Sequence, residues 1–87
     1  MKISIELSLY PLDDNFLTII QDIVEKLNQA EDLVCMTNTM STQLFGEFAP
    51  VMAVLQDIIH YSFSSYGKQV FVAKFINNDL TPASLKQ

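Results

Sequence analysis

The chain has 87 residues, of which 49% are hydrophobic and 17% charged. These are the proportions of one small folded domain over residues 1–87, and they exclude collagen-like, disulfide-scaffold and disordered classes. Five Lys face ten acidic residues for a formal net charge of −5, with no Arg, which leaves no basic stripe for a nucleic-acid backbone or an anionic membrane.

In residues 3–9 polar and apolar side chains alternate, which predicts a strand with Ile3, Ile5, Leu7 and Leu9 on one face. Tyr10, Pro11 and Leu12 end it, because Pro11 has no N–H to give to a ladder. Asp13, Asp14 or Asn15 then caps a helix whose apolar stripe is Phe16, Ile20, Ile23, Val24 and Leu27. Leu33 to Met36 is a short apolar run suited to a second strand. Asn38 and Thr39 read as a turn, and Met40 to Phe45 as a third strand pairing back as a hairpin, broken by Gly46. A second helix opens around Glu47 to Pro50, with Pro50 tolerated in its first turn. Its inner stripe is Met52, Leu55, Ile58, Ile59, Ser62 and Phe63, and Gly67 closes it. Lys68 to Ile76 is a fourth strand, and residues 77–87 read as a loose tail or a short terminal turn.

The order β-α-β-β-α-β predicts an α+β fold, a ferredoxin-like sandwich with a four-stranded antiparallel sheet and both helices on one face. Such a sheet leaves its other face uncovered. In the fourth strand Val70 and Val72 alternate with Phe71, Ala73 and Phe75, so both faces are apolar. A strand with one wet face lacks that pattern, which predicts that a partner subunit or a ligand covers the open face; the exposed apolar surface favours a second copy of the chain, with Phe75 in the contact.

His60 is the only histidine and Cys35 the only cysteine, so no intramolecular disulfide and no site needing several His or Cys ligands can form. His60 reads as a partly exposed helix residue and Cys35 as an inert strand residue. No metal site, catalytic group or cofactor is expected. The N-terminus lacks the pattern of a signal peptide and no apolar run approaches the ~18 residues of a membrane span, so a cytoplasmic protein is expected. The segment from Thr37 to Gln43 sets six hydrogen-bonding side chains around Met40. It reads either as an ordinary polar turn running into an edge strand or as neutral donors and acceptors beside apolar walls, the make-up of a small-molecule pocket.

Three landmarks carry a family resemblance: the strand Ile5 to Leu9 running into Tyr10, Pro11 and Leu12; Met40, Ser41 and Thr42 followed by Gly46, Glu47 and Phe48; and the closing strand Val70 to Phe75. Together they span residues 3–76, and with them the chain resembles the YkoF-like family of thiamine-binding proteins. The family often carries Gly-Pro just before the middle landmark, where this chain has Asn38 and Thr39. The resemblance implies binding of thiamine or its hydroxymethylpyrimidine moiety without catalysis, in a homo-oligomer, dimer or tetramer. It implies ligand contacts at Met40, Ser41 and Thr42, with Asn38, Glu47, Ser8 and Tyr10 flanking them. Alternation in the third strand sends Met40 and Thr42 toward the helices, and Ser41 and Gln43 to the open face; a bulge near Ser41 would bring the two sets together. The alternative function is a protein-interaction or regulatory assembly domain with no small-molecule ligand.

Overall fold

The computed structural model of the protein describes residues 1–83. Among them the elements run β1 (Lys2–Pro11), α1 (Phe16–Gln29), β2 (Val34–Thr37), β3 (Thr42–Glu47), α2 (Phe48–Tyr66) and β4 (Gln69–Ile76). The strands form one sheet in the order β2-β3-β1-β4, every neighbouring pair antiparallel. This is the ferredoxin-like sandwich that the βαββαβ order predicts. No helix among the described residues is long and apolar enough to cross a membrane.

The period-2 pattern of β1 does what it predicts. Ile3, Ile5 and Leu7 are buried under the helices together with Ile23 and Leu27 of α1, Leu44 of β3, and Val51, Leu55 and Ile58 of α2. The stripe of α1 is turned from the predicted one: Ile19, Ile23 and Leu27 are buried, whereas Phe16 is exposed. Two apolar lines run side by side on this helix, and periodicity fixes their spacing but not which one meets the sheet. No side chain caps α1; Asp13 Oδ1 instead accepts the Asn15 N–H at 2.7 Å and shapes the turn before the helix. In α2 Val51 and Ser62 are fully buried, while Phe63 is exposed. Gly67 closes α2 at φ 78° and ψ −145°, a conformation essentially reserved for glycine. Ser62 and Gln69 lock that corner: the Ser62 hydroxyl donates to Gln69 Oε1 at 2.7 Å, and Gln69 Nε2 donates to the Ser62 carbonyl at 2.7 Å.

β3 is shifted two residues along the chain from its predicted span. Asn38 Oδ1 accepts the N–H groups of Met40 and Ser41, each at 2.8 Å, and the Asn38 N–H donates to the Ser41 carbonyl at 3.0 Å. This side-chain-built turn consumes the positions expected to begin the strand. Gly46 does not break the strand but lies within it, opposite Ile3. The end of the chain also differs from expectation. After β4 the described residues fold back over the open face, where the Ser4 hydroxyl donates to the Asn78 carbonyl at 2.7 Å and accepts the Leu80 N–H at 2.9 Å. The predicted tail beyond residue 83 lies outside the described residues.

Candidate functional site

Register sorts the open face into cross-strand rows. The first row is Val34, Phe45, Ser4 and Ile76, and the second is Met36, Gln43, Glu6 and Lys74. Ser8 and Val72 stand in the third and Tyr10 and Val70 in the fourth. One step beyond the Leu7–Thr42 pair, the same register sets Ser41 beside Ser8. Phe75 pairs with Ile5 and therefore lies on the helix side, not on the open face as expected. The open-face residues of β4 are Val70, Val72, Lys74 and Ile76, so the strand is still apolar on both faces.

The first two rows hold a cleft of about 230 Å³, lined by Ser4, Glu6, Gln43, Phe45, Lys74 and Ile76, with Leu80 of the returning chain as a further wall. Phe45 is only 4% exposed and Ser4 only 5%, although both face away from the helices; the returning segment covers Ser4 through its bonds to Asn78 and Leu80. Glu6 is the polar centre. Its Oε2 accepts the Ser41 hydroxyl at 3.1 Å, and its Oε1 lies 3.4 Å from Lys74 Nζ. Both partners are surface groups, so the ion pair contributes little to stability. Its consequence is orientation, because the carboxylate is held at the mouth of an apolar cleft with Gln43 beside it.

The residues singled out from sequence are dispersed. Ser41 reaches the cleft through Glu6, and Ser8 shares its face one row away. Tyr10 is on the same face, two rows off and exposed. Met40 is 84% exposed at the tip of the hairpin, and Asn38 is occupied in building the turn. Thr42 is buried on the helix side, its hydroxyl 3.4 Å from that of Thr37. The β1–β3 register runs unbroken from the Lys2–Glu47 pair to the Leu7–Thr42 pair, so no bulge brings Thr42 round to Ser41. Glu47 lies at the opposite end of β3, 3.3 Å from the N-terminal amine and 3.5 Å from Lys2 Nζ. The amine, with Lys2 assisting, holds its carboxyl below the usual carboxylate range.

Gln43 belongs to the polar Thr37–Gln43 segment and lies on the open face, as alternation predicts, whereas Glu6 and Lys74 are not among the residues that the sequence marks as a site. Cys35 is half-buried on the edge strand β2, opposite Leu44 of β3, and burial pushes its thiol up, which makes the nucleophilic thiolate scarcer. His60 is exposed on α2. Among the described residues no group of three or more His, Cys, Asp or Glu could hold a metal ion.

The YKOF-related family matches residues 2–73, most of the chain, and the protein belongs to that family. Among solved structures it is similar to a Thermotoga maritima protein assigned provisionally to thiamine biosynthesis or salvage, at a TM-score of 0.83 and 15% identity over 97% of this chain and 94% of that one. A Streptococcus pneumoniae protein superposes at a TM-score of 0.81 and 22% identity, covering 92% of this chain and 90% of that one. For a Methanocaldococcus jannascii protein the TM-score is 0.74 and the identity 18%, covering 92% and 84%. At these identities the structural likenesses establish the fold alone. No curated protein matches the sequence.

Proposed function

We propose that the protein binds thiamine or its hydroxymethylpyrimidine moiety in the open-face cleft, without turning it over. The observation that carries this reading is the placement of Glu6, held by Ser41 and Lys74 at the edge of a cleft walled by Phe45, Ile76 and Leu80. An aminopyrimidine presents an exocyclic amino group that donates and ring nitrogens that accept. Glu6 accepts from the amino group, and the Gln43 amide and Lys74 ammonium donate to the ring nitrogens. The ring itself lies against the apolar walls. This set of groups recognises a ligand; membership of the family and the provisional role of its Thermotoga relative support the choice of ligand. A second copy of the chain covers the rest of the open face, where Tyr10, Val70 and Val72 stand exposed, and completes a homo-oligomer.

Calorimetric titration with hydroxymethylpyrimidine, and separately with thiamine, tests the reading. Saturable binding is expected, and Glu6→Gln should weaken it by about tenfold or more through loss of a charge-assisted hydrogen bond. No binding of either compound by the folded protein would favour the interaction-domain alternative.

A further inference from the structure

We infer that the outer edge of β4 is a self-association surface, at which a second copy of the chain adds its own β4 antiparallel and joins two four-stranded sheets into one. This contact is separate from the open-face contact proposed above and needs no ligand. β4 ends the sheet, and among the described residues no backbone group pairs with its outer edge. The strap of residues 78–81 turns inward instead, over β1, where it bonds to Ser4. β4 is eight residues long and contains neither Pro nor a bulge-forming Gly, the features that commonly blunt a solvent-exposed edge. Its one charged residue, Lys74, is turned to Glu6.

Both flanks of this edge are apolar and about half exposed. On the open face stand Val70, Val72 and Ile76. On the helix side stand Phe75, 51% exposed, and Phe71, which packs edge-on against the exposed Phe63 of α2 with 5.6 Å between ring centroids. A copy seated on the open face leaves Phe75 and Phe63 in water, whereas a strand added at the edge reaches both flanks. The occupant must itself be an extended strand, apolar on both faces, with a free edge. β4 has all three properties, while β2, the other edge strand, is four residues long and too short to match it. Pairing β4 with β4 uses each edge once, a two-fold contact that closes on itself rather than growing into a filament. It also extends the cleft: Lys74 and Ile76 are its last wall on this side, and antiparallel addition sets the Val70 to Val72 stretch of the second copy beside them.

Analytical ultracentrifugation of the full chain, without ligand, tests the inference. With the open-face contact also formed, the wild-type protein should sediment as a tetramer and Phe75→Asp as a dimer, because the new charge enters the edge contact and stays clear of the open face. Val72 stands in both contacts. Circular dichroism shows whether the variant folds, and hydrogen exchange on the wild-type protein needs no variant. Every second N–H of β4 points away from β1, and these should exchange at least about tenfold more slowly in the assembly than after dilution to monomer. An assembly unchanged by Phe75→Asp would overturn the inference and leave the open-face contact in place, as would outward amides that exchange equally fast in assembly and monomer. Conversion of a wild-type dimer to monomer by Phe75→Asp would uphold the edge contact and remove the open-face one. A protein that stays monomeric at millimolar concentration would overturn both, whatever its ligand binding.

Discussion

A Cβ at position 46 would stand 2.8 Å from Cγ2 of Val51 and 3.3 Å from the carbonyl oxygen of Asp32. Val51 is fully buried and has nowhere to retreat. Gly46→Ala should therefore cost about 1–3 kcal/mol by overpacking, and each kcal/mol lowers the melting temperature of a domain this size by about 4–8 °C. Thermal denaturation checks this, and an unchanged melting temperature would mean that β3 and α2 can separate at no cost. Glycine in a strand commonly marks a close backbone approach, and the sequence alone read it as a break. The same limit applies to Thr42 and Ser41: alternation correctly assigned them to opposite faces, but family resemblance could not say which of the two stands near a cleft.

The two helices are joined through a single carboxylate. Tyr61 and Tyr66, both on α2, donate their phenol O–H groups to Asp22 Oδ2 on α1, and Lys26 Nζ lies 3.3 Å from Asp22 Oδ1 and 4.5 Å from the Tyr61 ring centroid. The hydrogen bond from Tyr66, followed by that from Tyr61, holds the Asp22 carboxyl below its ordinary value of 3.8. In turn, donating that hydrogen bond to Asp22 holds the Tyr66 phenol well above its own ordinary value. A depressed carboxyl stabilises the fold above its unfolded pKa, and that contribution disappears as pH falls through the folded pKa. The double variant Tyr61→Phe, Tyr66→Phe should thus be less stable than the parent at pH 6. The gap should narrow as the pH is lowered from about 4 toward 2, measured as melting temperature against pH. A gap independent of pH would show that the phenols stabilise by packing alone. None of these pairings is apparent in the sequence, because Asp22 lies 39 positions from Tyr61 and 44 from Tyr66 and meets them only when the helices pack side by side.

For the whole molecule, the decisive surface is the open face of the sheet. The strap and the cleft occupy its Ser4 end, while Tyr10, Val70 and Val72 remain exposed at the other. If a second copy seats there, as proposed, Val72→Asp should reduce the assembly to monomers in analytical ultracentrifugation, since it puts an unpaired charge into an apolar contact. An intact oligomer would place the contact elsewhere.

Much of this was decided by sequence alone. The order of elements, the buried face of β1, the positive φ of Gly67 and the doubly apolar β4 all arise from local periodicity and residue type, which act over a few positions. The span of β3, the rotation of α1, the face of Phe75 and the cleft at Glu6 were settled only by tertiary structure. The span of β3 turns on the Asn38 side chain, which takes up the N–H groups of Met40 and Ser41, whereas the others depend on partners far along the chain: Asn78 and Leu80 reach Ser4 across more than seventy residues. A strand pattern states which residues share a face, but the strap that makes one end of that face a cleft exists only once the chain has closed on itself.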